Sequence, residues 1–104
     1  MKVKIGPYKK DCEGVKCKVK LHRHDMFNLD HTLSLVILPA LKRFRKLRRT
    51  PGRMSVEEWN SILDKMIDAF DIIANGKCWP NEEEEIRVRK GLKLFAKWYT
   101  TLWT

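Results

Sequence analysis

Between Asp30 and Arg49 the chain is apolar nearly all round a helix, and it then carries six Lys and Arg in the eight positions 42–49. Leu33, Val36, Ile37, Ala40, Leu41, Phe44 and Leu47 recur at helical spacing, and Leu35 and Leu38 fill the opposite side. Such an element is usually central to its fold, because a helix without a polar face must be covered on several sides. The spacing therefore predicts a central helix over 30–49, capped by Asn28 or Asp30, kinked at Pro39 and stopped by Thr50-Pro51-Gly52.

Two further helices follow from stripes and caps. Ser55 with Glu58 three residues on has the form of a capping box, and Trp59, Leu63, Met66, Phe70 and Ile73 form one stripe before Asn75-Gly76. This predicts a helix over 55–75. Asn81 precedes four glutamates, 82–85, which suit the positive end of a helix dipole. Val88, Leu92, Phe95, Tyr99 and Leu102 then define an apolar face, widened by Trp98 and Trp103, and predict a helix over 82–103. Upstream, MKVKI and VKCKVKLH alternate with period two around a turn-rich segment, which predicts a hairpin over 1–23. The expectation is a single domain over 1–104, mainly α with a small β part (α+β): a short N-terminal β-hairpin packed on a three-helix bundle. A chain of 104 residues supports one core and no second domain.

Charge is unevenly spread. Residues 1–54 hold 15 Lys and Arg against 4 Asp and Glu, whereas residues 55–104 hold 7 against 9. A basic half favours an anionic partner. No apolar run approaches the roughly 18 residues that span a bilayer, and MKVKIGPYKK lacks an apolar signal core, so the expected setting is intracellular and away from membrane.

Enzyme signatures such as a Gly-rich phosphate loop, GxSxG or HExxH are missing, and the expectation is a protein that is not an enzyme. Cys12 and Cys17 have the separation of a zinc knuckle's first pair, but three ordinary thiols with Cys78 is the better reading. His22, His24, Asp25, Asp30 and His31 form the one cluster of metal-capable side chains, and neither a metal nor a cofactor is expected there. The start of the first long helix, beside His24, Asn28 and His31, offers free amides and a positive dipole end to an anion or polar ligand.

Three blocks carry a resemblance. HDMFNLDHTLSLVILPALKRF looks like D-T-W-x-x-D-x-T-L-x-x-I-I-x-P-x-L-K-x-L, WNSILDKMIDAFD like W-x-x-x-L-D-E-M-I-x-A-F-E, and IRVRKGLKLFAKWYTTLW like R-I-x-x-G-L-x-L-F-x-K-Y-Y-x-x-L-W. In this order they resemble a family of small uncharacterised tailed-phage proteins, over about half the chain. Asp25, Asp30, Thr32, Pro39, Trp59, Asp64, Met66, Gly91, Lys97, Tyr99 and Trp103 fall on matching positions, while Phe27 stands for Trp and Lys65 for Glu. The resemblance implies phage origin, hence the host cytoplasm, and a helical fold.

The expected function is a non-enzymatic phage binding protein in counter-defence, which sequesters an anionic nucleotide-type ligand or blocks a host immune protein. A nucleic-acid-binding accessory protein and a structural or assembly factor are the alternatives. Candidate ligand contacts are Arg45 and Arg49 on the basic tail, with Lys97, and His24, Asn28 and His31 at the helix start. Nucleic acid and a second copy of the chain stay open as partners.

Overall fold

The computed structural model describes residues 1–8, 15–76 and 80–103. Cys12 and Cys78 lie outside the described residues. Strands β1 (Lys2–Tyr8) and β2 (Val15–Lys20) pair antiparallel, and helices α1 (Arg23–Phe27), α2 (Leu29–Arg45), α3 (Val56–Asn75) and α4 (Glu82–Trp98) follow, with a 3₁₀ turn at Tyr99–Thr101. The class is the expected one, mainly α with an N-terminal hairpin.

The central element is α3 rather than the first long helix. Trp59, Leu63, Met66 and Ala69 on α3 are almost wholly buried, and Met66 is 0% exposed. Helices α2 and α4 each pack on α3 and do not pack on one another. From α2, Leu38 and Leu41 enter the core, while Leu29, Leu33 and Leu35 stay exposed. Its all-round apolar character therefore has a different cause from burial in the middle: one side covers α3 and the other is left open. The molecule is a flat layer of 47 × 42 × 19 Å.

The helix ends differ from expectation in physically readable ways. An extra short helix, α1, precedes α2. The His22 N–H donates to the Asp25 carboxylate (2.8 Å), and the Thr32 hydroxyl donates to the Asp25 carbonyl (2.8 Å), which ties α1 to α2. Asn28 occupies the cap position of α2 but makes no side-chain cap bond. Pro39 is tolerated inside α2 on its exposed side, where the carbonyl left without an N–H partner can meet water.

Helix α2 also stops at Arg45, four residues earlier than its cations suggested. The N–H groups of Lys46, Leu47 and Arg48 turn back to carbonyls three residues earlier, and Arg48 takes φ 53°. That left-handed conformation is unusual for a side chain with a Cβ, and glycine is the ordinary occupant of such a helix exit. At α3, Ser55 accepts from the Glu58 N–H (3.2 Å), but no reciprocal bond from Glu58 is formed, so the box is half made. At α4 the box is complete: Asn81 accepts from the Glu84 N–H (2.8 Å) and Glu84 accepts from the Asn81 N–H.

The hairpin does not pack on the helices in its described part. Val3 pairs with Val19 and Ile5 with Cys17, so one face is apolar, yet Ile5 and Val19 are exposed. The opposite face sets Lys2 across from Lys20 and Lys4 across from Lys18. Like charges in that position repel, and all four lysines are exposed. Gly6, at φ 107°, occupies the register shift between Ile5 and Tyr8, a backbone conformation open to glycine.

Candidate functional site

The six candidate contacts separate into two groups at opposite ends of α2. Seventeen residues of helix span roughly 25 Å, so one small ligand cannot touch both ends.

At the start of α2, Asn28, Asp30 and His31 line a cavity of about 540 Å³ between α2, the end of α3 and the first half of α4. Its floor is apolar, from Ile72, Ile73, Val88 and Leu92, and Glu85 stands at its edge. The His31 Nε2–H donates to the Ala74 carbonyl (2.9 Å). This bond fixes the ring against α3 and leaves Nδ1 as the nitrogen with spare capacity. Among the described residues the lining holds no Lys or Arg, Asp30 adds negative charge beside the free amides of the helix start, and the Glu85 carboxylate is taken by Arg89 (2.7 Å), so this cavity suits a polar group better than an anion. His24 is not in the cavity lining; its ring lies against Phe27, with centroids 5.4 Å apart.

At the other end, Arg45 is engaged. Its guanidinium donates twice to Asp64, from Nε (2.6 Å) and from Nη2 (3.2 Å). The basic tail is thus tied to α3 by this pair. Asp68, the next acidic residue along α3, takes Arg87 of α4 instead (Nε, 2.9 Å) and holds its charged form more firmly. Asp71 accepts from the Asn75 amide (2.8 Å). Asn60 Oδ1, in the hollow that holds Arg45 and Asp64, is buried without a partner among the described residues.

The remaining cations of the tail are not so engaged. Among the described residues, Lys42, Arg43, Lys46, Arg48, Arg49 and Arg53 enter no ion pair. Because α2 ends at Arg45, Arg49 does not share a helix face with Lys42 and Arg45. It lies in the turn that follows, where it lines a second, smaller cavity of about 220 Å³ with Phe44, Thr50, Pro51, Gly52, Trp59, Thr101 and Trp103. Trp103, placed by spacing on the apolar face of the third helix, is 72% exposed and forms one wall. It reaches this position because α4 gives way to the 3₁₀ turn at Tyr99.

Aromatic rings connect this end to the core. Phe70 meets Phe95 edge-on (4.9 Å), Phe95 meets Tyr99 (5.2 Å), and Trp59 meets Trp98 (5.6 Å). Trp59 and Phe70 are core, as their stripe predicts; Tyr99 is 62% exposed and is not. The Lys97 ammonium sits 5.3 Å from the Trp98 ring centroid, a cation–π contact one ring away from the cavity wall at Trp59.

No group of three or more His, Cys, Asp or Glu side chains could hold a metal ion among the described residues. No helix among them is long and apolar enough to cross a membrane. Comparison with protein-family models, curated proteins and solved structures finds no match to this chain.

Proposed function

We propose that this chain is a non-enzymatic binding protein that captures an anionic, ring-bearing ligand of the nucleotide type at its basic end. One observation carries the reading: Arg49 and Trp103 line the same cavity, beside a turn that also holds Lys46, Arg48 and Arg53. A planar base can stack on an indole or a guanidinium, and the phosphate can take charge-assisted hydrogen bonds from arginine. The Thr50 and Thr101 hydroxyls supply further donors and acceptors at the wall. At about 220 Å³ the cavity is smaller than the roughly 300–1,000 Å³ of sites that enclose a whole ligand. It therefore suits the base, with sugar and phosphate lying across the exposed cations.

Backbone strain supports the same end. Arg48 holds a left-handed conformation that glycine would take at lower cost. Strain of this kind concentrates where a side chain is needed for another purpose. In the phage setting that the resemblance implies, capture of a host signalling nucleotide in the host cytoplasm would serve counter-defence; obstruction of a host immune protein by the same basic surface is the variant of this reading. The test is titration of the protein with a panel of mononucleotides and cyclic nucleotides, followed by intrinsic tryptophan fluorescence. Saturable quenching by one nucleotide class, lost in Arg49→Ala, supports the proposal. A flat response across the panel overturns it.

The second reading, nucleic-acid binding, is favoured by the hairpin, whose exposed Lys2, Lys4, Lys18 and Lys20 form a continuous cationic face. Phosphate-backbone binding would fall steeply with salt, with a log–log slope of about −0.9 per neutralised phosphate on duplex DNA. A single bound nucleotide would show a far shallower slope.

A further inference from the structure

The cavity at the start of α2 has no part in the capture proposed for the basic end, and the two lie at opposite ends of that helix. Among the described residues, α2 and α4 both pack on α3 and not on one another. A trench therefore stays open between them over the last turns of α3. Its volume of about 540 Å³ falls within the roughly 300–1,000 Å³ of small-molecule sites. The floor is apolar and incompletely covered: Ile72, Ile73 and Val88 are half-buried, and Leu92 is 38% exposed. Removing that surface from water favours an occupant with an apolar face.

The polar groups on the α2 wall select the rest of the ligand. The His31 Nε2–H is spent on the Ala74 carbonyl, so in the neutral ring Nδ1 can only accept. The Asp30 carboxylate can also only accept. Its backbone carbonyl takes the Ser34 hydroxyl, but among the described residues the carboxylate itself enters no ion pair. Asn28 makes no side-chain cap bond, and its amide can donate or accept.

Neighbouring acceptors call for neighbouring donors. A phosphate or carboxylate offers none and meets Asp30 as a like charge, with no Lys or Arg among the described lining residues to offset it. An alkyl ammonium offers donors but leaves the apolar floor bare. A flat ring with two N–H groups on one edge satisfies both demands. Its edge gives the carboxylate two parallel hydrogen bonds, as a guanidinium does, and its face covers the aliphatic floor.

We propose that this cavity is a second binding site, for an uncharged planar heterocycle that presents two neighbouring N–H donors to Asp30, with His31 Nδ1 as a further acceptor. The ring lies on Ile72, Ile73, Val88 and Leu92. This site goes beyond the capture proposed at the basic end and does not depend on it.

Guanosine is the probe, because its ring N–H and amino group form such an edge; inosine lacks the amino group. Titration of the full chain followed by NMR reads both ends at once. The methyl signals of Ile72, Ile73, Val88 and Leu92 report this cavity, and the Trp103 indole signal reports the other. Guanosine should shift those methyl signals saturably. Inosine should bind about tenfold more weakly, and Asp30→Asn should weaken guanosine by about as much, the effect of losing one hydrogen bond to a charged group. Asp30 is exposed, so that variant should keep the parent's circular dichroism spectrum; should it not, guanosine against inosine on the parent decides alone. Benzoate, a flat anion, should leave the methyl signals in place. An absence of methyl shifts, equal affinity for guanosine and inosine, a folded Asp30→Asn variant that binds like the parent, or displacement of guanosine by benzoate overturns the proposal. Guanosine that shifts only the Trp103 indole also overturns it, while leaving capture at the basic end intact. Methyl shifts with a silent indole support it, whatever the basic end binds.

Discussion

Ala69 of α3 and Gly91 of α4 meet where these two helices pack, and Gly91 is buried because no side chain fits there. A Cβ at Gly91 would strike the Ala69 Cβ and the Lys65 carbonyl. The carbonyl belongs to a helix backbone and cannot move aside. Gly91→Ala gains helix propensity of up to about 1 kcal/mol but overpacks the contact, at a cost of about 1–3 kcal/mol. Thermal denaturation should therefore show a net loss of stability. Adding Ala69→Gly should recover only part of it, because the Lys65 carbonyl remains. An unchanged or raised Tm in Gly91→Ala would mean that α3 and α4 are farther apart than described.

The aromatic residues should divide by burial rather than by spacing. Phe70→Ala removes a ring that is 5% exposed and should cost about 3–5 kcal/mol in denaturant unfolding. Tyr99→Ala removes a ring that is mostly in solvent and should cost under about 1 kcal/mol. Equal losses from the two would show that the end of α4 is packed as a full helix after all.

This division marks how far the sequence was legible. Helix α3 could be read almost to the residue, because Ser55, the stripe from Trp59 to Phe70 and Asn75-Gly76 all point to the same element. Periodicity could not say which helix lies in the middle. The two stripes of α2 look like burial on all sides, whether the second covers core or lies open. The exit of α2 was hidden for a related reason: Arg48 occupies a left-handed position that only a glycine would have announced. Placing Arg49 in the turn with Trp103 thus needed the fold. Arg45 was legible as a cation at the end of α2, but only the structure gives it Asp64 and leaves Asp68 to Arg87 and Asp71 to Asn75.

The Arg45–Asp64 pair should matter little for stability. Its side chains are 39% and 55% exposed, and pairs of that kind contribute about 0.2–1 kcal/mol. A double-mutant cycle with Arg45→Ala and Asp64→Ala should return a coupling in that range and shrink with added salt. A coupling well above it would place the pair in a drier setting.

Asp25 gives a pH dependence with a definite sign. Its carboxylate accepts from the His22 N–H and lies 3.2 Å from the Met1 amino group, and the first of these is the main reason its pKa lies below the ordinary 3.8. A carboxyl depressed by folding adds stability above its unfolded pKa, and that stability is lost as pH falls through the folded value. The start of α1 should therefore hold through mild acid and loosen only below the usual carboxylate range. Carboxyl titration by NMR should place the Asp25 midpoint below 3.8, and Asp25→Asn should remove this part of the acid dependence. A midpoint at or above the ordinary value would contradict the bond from His22.

The most direct measurement is calorimetric titration of the folded protein with the nucleotide panel, repeated on Arg49→Ala and on Trp103→Ala. Both positions lie at the surface of the fold, so both variants should keep the helical spectrum of the parent. One nucleotide class should bind the parent at one site per chain, and each variant should lose affinity by about tenfold or more, equivalent to about 1.4 kcal/mol. Nucleotide binding that survives both substitutions, or a parent that binds only nucleic acid and only at low salt, would contradict it.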